Sequence, residues 1–565
     1  MSRRIRRTPR RWTGTGWHAP VLVLAVLVQG AVALWLGSRG WFSGDLIHYY
    51  VERGGAPGGD EGLMEPHAAH WQVLLIIGYL VMFKVLGLTS YLPYLAVTVI
   101  VHLALVLLSH RLLLRAGAHP TAALLAALAL LTYGAGSEAF LVEAPVALTS
   151  AMLIALVSIS VLLRRDFDSR GLALVAVLLL VAVMVSLGGV VAAVWVGFFA
   201  LSRGVRAMAA VVLVPAAAFL VWYAVWGRTA ARVLLSPSEA LEVPGAALAL
   251  LVAPFDDLTG RWGAGPVLVL AVLGATVWGA RRRPLLASLA LAGFAAAAFH
   301  AVLSAVAQVP YGMEQVTTSR YRYVVLVALL AGLALLLDAV VTALRDALGP
   351  PQRRVAVLLG AAAASLLLVH AALGQFTAAR SLAEIGDKTR QHLAGTLVAT
   401  STGQEVINDA VRGSYISGED LGQLADPALR SELPAFEASA EDRIEAESNY
   451  FVAVSDEDLD LGDPGEVDSD SFDRELRAGT GCLGYNATND TPTLTVSSLV
   501  GADIRVRSEA GNITTRLHRP DEDVEGDLVA WRTEPGEWTY IGTTAQVAEL
   551  DVTFDTGGRF IICFS

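Results

Sequence analysis

Ionisable side chains are scarce in the apolar first two thirds of this sequence, and those away from its arginine-rich connections fall into a few short groups. The stretch SGDLIHYY (43–50) holds Asp45 and His48, and EPHAAHW (65–71) holds Glu65, His67 and His70. GSEAFLVEAP (136–145) holds Glu138 and Glu143, and SRYRY (319–323) holds Arg320 and Arg322. A carboxylate can accept the proton of an incoming hydroxyl. A guanidinium can hold the oxygens of a phosphate. The combination suits transfer of a group from a phosphate-linked donor, with one carboxylate as base, others orienting substrate, and a cation taking the departing charge. Other roles are open for the same residues. Asp45 follows Ser43-Gly44 and could cap a helix. His67 and His70, one helical turn apart beside Glu65, could ligate a divalent metal ion or act as interfacial hydrogen-bonders. Arg320 and Arg322 diverge on a helix, so one is expected to face a phosphate while the other anchors to lipid headgroups.

Whether these groups can meet depends on the elements that carry them. Of the 565 residues, 55% are hydrophobic and 16% charged, with mean hydropathy +0.55, too apolar for a soluble globular chain. Eleven apolar runs are long enough to be read as spans, at 19–37, 92–114, 120–136, 145–163, 171–187, 189–203, 207–226, 264–280, 285–307, 322–345 and 354–374. The run Trp71 to Leu88 is a twelfth candidate. If it does not cross, the basic N-terminus and every short Arg-rich connection fall on one side, as the positive-inside rule asks; if it crosses, the rule fails at each later connection. Helices over 44–88 are therefore expected on the outer surface, with Lys84 reaching to the headgroups and Tyr49, Tyr50 and Trp71 at the interface. The N-terminus then serves as an uncleaved cytoplasmic anchor. All four groups gather outside, together with Asp256, Asp257 and Glu314. The spans keep few ionisable groups, chiefly His102, His300, His370 and Asp338, which argues against an ion-coupled transporter.

The remainder of the chain has another solvent. About 36 of the 52 acidic residues lie after Gln375, in a region expected to be extracytoplasmic. A mixed segment over 376–455 is followed by an acidic linker over 456–477. The run around Asp456, Asp458 and Asp460 lacks the glycine and glutamate of a calcium loop. From 478 to 565 short alternating runs predict a β-sandwich, in which Trp531, Trp538 and Tyr540 are candidates for stacking on a glycan or for core packing. Cys482 and Cys563, the only cysteines, both fall there and are expected to form a disulfide. The expected fold is a polytopic α-helical membrane protein of about eleven transmembrane helices with a C-terminal α/β and then β-sandwich domain. No nucleic-acid partner is expected.

The order GDLIHYY, then EPHAAHWQVLLIIGYLVMFKVLGLTSYLPYL, then SEAFLVEAP, then SRYRY before a late span, resembles the GT-C superfamily of integral-membrane glycosyltransferases over about residues 15 to 375. Where many members continue the first outer loop with Lys-Pro-Pro, this chain has His-Ala-Ala-His. The resemblance implies a polyprenyl-phosphate sugar donor, a cell-envelope acceptor, and Asp45 in the position of the base or substrate ligand. Glu138 or Glu143 would orient substrate, Arg320 or Arg322 would clamp phosphate, and His48, Glu65, His67 and His70 would line the donor site. Two readings from other classes are a passive flippase for a lipid-linked glycan and a non-catalytic envelope scaffold.

Overall fold

The structure is a computed structural model. It describes residues 17–42, 44–54, 61–67, 70–142, 145–164, 168–229, 235–260, 263–347, 350–401 and 438–455, isolated residues between 404 and 424, and the strands and short connections of 466–564 given below. The chain is a polytopic helical protein with a C-terminal β-sandwich, and it divides into two compact units. The first holds residues up to Arg39, Glu61–Val81 and Tyr91–Ala383; the second holds Gly40–Asp60, Met82–Ser90 and Glu384–Ser565.

The first unit is built from α1 (His18–Gly37), α3 (Val73–Leu86, in part), α4 (Leu92–Ala116), α5 (Pro120–Leu131), α6 (Glu138–Leu141), α7 (Val146–Arg164), α8 (Ser169–Val185), α9 (Gly188–Leu201), α10 (Val205–Val225), α11 (Pro237–Thr259), α12 (Gly265–Arg282), α13 (Pro284–Gln308), α14 (Met313–Val316), α15 (Ser319–Ala347) and the start of α16 (Pro350–Ser401). Among the described residues, seven helices are long and apolar enough to cross a membrane: α1, α4, α7, α10, α11, α13 and α15. Six of these were expected; α11 was not. Three expected spans, α5, α8 and α9, are shorter apolar helices. Small residues let the helices approach closely: a Cβ on Gly293 of α13 would lie 2.0 Å from the Ala328 carbonyl oxygen of α15.

Contacts at the helix ends fix their directions. At one end the Asp338 carboxylate accepts from the His119 N–H (3.1 Å) and from Arg283 Nε (3.4 Å), His18 meets Thr121 (3.3 Å), and Arg115 donates to Ser160 (3.0 Å). The opposite end carries Tyr133, Asp257 and Arg322. Two elements make no net crossing between these ends. α3 is entered at Trp71, stacked on Trp222 (5.5 Å between ring centroids), and is followed by Tyr91, whose hydroxyl donates to the Leu141 carbonyl. Within α3, Tyr79 stacks on Tyr94 at the start of α4 (6.3 Å). All of these lie at the Tyr133 end, and 14 residues of helix, about 21 Å, cannot cross and return through the short turn to Tyr91. α10 arrives and α12 departs at that end too, so α11 and its flanks bring the chain back to where it started.

Within 44–88, where surface helices were expected, the stretch before Val73 is corrected. His67 and His70 form an isolated antiparallel bridge through their backbones, and helix starts only at Val73.

Among the described residues, the second unit contains α2 (Gly44–Val51), the end of α16, α17 (Ala440–Tyr450) and twelve strands. α16 is continuous to Ser401, so the expected boundary at residue 375 falls inside it. Strands β1 (Val452–Ser455), β10 (Trp538–Thr543), β6 (Ala502–Arg507), β12 (Gly558–Phe564), β4 (Cys482–Ala487) and β3 (Phe472–Arg477) form one antiparallel sheet in that order. The other runs β2 (Glu466–Asp468), β5 (Thr493–Ser498), β11 (Ala548–Phe554), β7 (Asn512–Arg519), β8 (Val524–Glu525), with β9 (Val529–Arg532) also on β7. One apolar core joins the sheets, Ile504, Val506, Ile541 and Phe560 from the first against Val496, Leu517, Leu550 and Val552 from the second. β2 and β3 fall within 456–477, where a linker was expected, although FDRELR is mostly charged.

Candidate functional site

The start of α15 organises one end of the first unit. Its residues Arg320, Tyr321, Arg322 and Tyr323 point in different directions, because neighbours on a helix are about 100° apart, and each meets another element. Arg320 Nη1 donates to Glu138 Oε1 (2.8 Å), and the Glu138 N–H donates to Ser319 Oγ (3.2 Å). Arg322 Nη1 donates to both oxygens of Asp257 (3.1 and 3.3 Å), while its Nε donates to the Thr317 carbonyl. The Tyr133 hydroxyl completes that group, donating to Asp257 Oδ2 (2.7 Å). Gln308 Nε2 donates to the Tyr321 hydroxyl (3.2 Å), and His300 packs edge-on to the Tyr321 ring. The Tyr323 hydroxyl lies 2.7 Å from His102 Nδ1, and His102 stacks on Phe140.

Two carboxylates and two guanidiniums thus come together from three connections distant in sequence. The ion pairs are only part-buried, with side-chain exposures of 37% and 24% for Arg320 and Glu138 and 29% and 20% for Arg322 and Asp257. Ion pairs of this kind contribute modestly to stability. Burial, and next the Asp257 carboxylate, holds the Tyr133 phenol well above its ordinary pKa, so it remains a donor. Gly136 is required here: a Cβ would lie 2.4 Å from the Tyr133 ring and 3.0 Å from that of Tyr323.

The expected site residues are placed as follows. Glu138, Arg320 and Arg322 lie in this cluster. Both arginines are engaged by carboxylates, whereas only one was expected to face the site. Asp257 was expected on the same face beside Asp256 but was given no role, and Tyr133 was absent from the expected set; the sequence marks it only as an aromatic at the end of an apolar run. Asp256 turns away, accepting from the Gly265 N–H (2.6 Å). Glu143 lies outside the described residues.

Glu65, His67 and His70 form a separate turn of the same unit. Glu65 folds back to accept from the Gly62 N–H (3.2 Å), and His70 Nδ1 accepts from the Leu187 N–H (3.3 Å). With these atoms engaged, the three do not form a ligand set for a divalent metal. No group of three His, Cys, Asp or Glu gathers for a metal among the described residues.

In the second unit, Asp45 stands in the first turn of α2, where a carboxylate favours the helix dipole. Burial, followed by the Asp45 carboxylate, pushes the Tyr49 phenol well above its ordinary value. His48 Nδ1 lies 3.5 Å from Asp420, Glu52 accepts from Gln423, and Tyr50 packs edge-on to Phe83. The backbones of Cys482 and Cys563 are direct register partners on β4 and β12; their side chains lie outside what the structure describes.

No family model matches the chain, and no curated protein matches it. Among solved structures it is similar to the arabinosyltransferase EmbB from Mycobacterium smegmatis, a single-particle cryo-EM structure, with 12% identity and a TM-score of 0.35. The match covers 99% of this chain and 65% of that one, so the chain spans less than two thirds of that protein's length. A likeness of that size determines neither the details of the fold nor the activity.

Proposed function

We propose that this protein is an inverting glycosyltransferase of the GT-C type, which moves a sugar from a polyprenyl-phosphate carrier to a cell-envelope acceptor on the extracytoplasmic side of the membrane. The observation that supports this is the pairing of Arg320 with Glu138 and of Arg322 with Asp257 at one end of the bundle. A phosphate ester can take the place of the carboxylate on one of the two diverging guanidiniums, Arg320 or Arg322, which frees its partner, Glu138 or Asp257, to accept from sugar hydroxyls. In the reaction the acceptor hydroxyl oxygen bonds to the anomeric carbon as the bond from that carbon to the phosphate oxygen breaks. Asp45 takes the hydroxyl proton, and the polyprenyl phosphate leaves with its negative charge. His48, Glu65, His67, His70 and Glu143 are assigned to substrate binding around this reaction. The basic connections opposite the cluster, at Arg115, Arg203 and Arg281–Arg283, support a cytoplasmic placement of that end.

The test is transfer of radiolabelled sugar from a synthetic polyprenyl-phosphate donor by the protein in nanodiscs. Transfer should depend on Asp45 and on either Arg320 or Arg322. Undiminished transfer by folded Asp45→Asn protein would remove the base, and transfer from a nucleotide sugar alone would remove the carrier.

A further inference from the structure

The first sheet of the sandwich has an outer face that the reaction does not use. Ile541 of β10 and Ile504 and Val506 of β6 point to the core, so Trp538, Tyr540, Arg505 and Arg507 share the opposite face. The register pairs Trp538 with Arg507 and Tyr540 with Arg505. The Arg505 guanidinium lies over both rings, 4.3 Å from the Trp538 centroid and 5.3 Å from that of Tyr540. Such stacking holds the planar cation in one orientation at little further entropic cost. Among the described residues no carboxylate pairs with Arg505, and its Nε is buried without a hydrogen-bond partner. This is unusual in its surroundings, since Arg516 and Arg519 of the neighbouring sheet are both paired with glutamates.

From this geometry we infer that the outer face around Arg505, Trp538 and Tyr540 binds a saccharide carrying an anionic substituent, either a uronate carboxylate or a phosphodiester. The rings offer flat apolar surfaces to sugar C–H faces, and Arg505 supplies the charge that selects an anionic sugar over a neutral one. The site is independent of the transfer reaction and does not rest on it.

Binding is measured calorimetrically on the full-length protein in detergent, with pentagalacturonate, a glycerol-phosphate pentamer and neutral cellopentaose as probes. One of the two anionic probes should bind at least tenfold more tightly than cellopentaose, and which one identifies the substituent. Arg505→Gln and Trp538→Ala should each weaken it at least tenfold, whereas Trp531→Phe, on the other sheet, should not change it. Arg505→Lys, which keeps the charge without the planar stack, should fall between. Equal binding of charged and neutral probes, absence of binding by both anionic probes, or Arg505→Gln binding like wild type with an unchanged unfolding temperature would each overturn the assignment.

Discussion

Arg320 and Arg322 are two residues apart on one helix and therefore face directions about 200° apart. Divergence was legible from that spacing. What could not be read was that a carboxylate waits on each side, because Glu138 and Asp257 come from connections more than a hundred residues apart. In the proposed reaction one of the two guanidiniums acts on phosphate charge that develops as the leaving group departs. Of Arg320→Gln and Arg322→Gln, one should lower the rate of transfer by about a hundredfold, the usual loss for one transition-state donor, with less effect on donor KM, and the other should change it far less. Tyr133→Phe removes one hydrogen bond to a carboxylate. It should lower stability by about 1–2 kcal/mol, seen as a reduced unfolding temperature in detergent, while leaving the Arg322 to Asp257 pair in place.

Elements were legible wherever an apolar pattern ran without interruption. The short alternating runs of 478–565 are strands, because a strand half-buried in a sandwich needs period two and little else. β2 and β3 were hidden by their acids. α11 was hidden by Pro244, Pro254 and its glutamates, which dilute the apolar run without breaking the helix. At this scale two contacts invite measurement. Arg519 of β7 reaches the fully buried Glu447 of α17 with Nε and Nη2 (3.0 and 2.7 Å), tying the helix to the sheet. Glu447→Ala strands a buried guanidinium and should cost about 3–5 kcal/mol, measured by chemical denaturation followed through the sandwich tryptophans. The register of Cys482 with Cys563 brings their Cα atoms to the separation of opposed antiparallel partners, about 4.5–5.5 Å, inside the range a disulfide spans. Non-reducing peptide mapping should recover the two cysteines in one linked fragment, and two separately alkylated peptides would refute the bond.

For the whole molecule the decisive matter is which segments cross. Charge distribution alone argued that Trp71 to Leu88 does not. The anchors of Trp71 on Trp222 and of Tyr91 on Leu141 agree with that reading for a reason the sequence could not supply. α11 is the converse case, apolar and long enough to cross, yet flanked by helices that meet at one end. Cysteines introduced at Leu63 and Ser90, and at Ser238 and Thr259, should all react with a membrane-impermeant maleimide from the same side of sealed vesicles, above the background of the native pair. Labelling of either pair from opposite sides would require a further crossing. The sequence by itself determined that most of this chain lives in lipid, where its apolar runs lie and that an alternating tail folds as a sandwich. These follow from local hydropathy and period, which every window of residues carries. Only the tertiary structure decided that Asp257 and Tyr133 join Arg322, that Glu138 joins Arg320 and that His70 is spent on the Leu187 backbone. Such pairings depend on helix directions and on close approach through residues such as Gly136 and Gly293, set by packing between segments far apart in the chain.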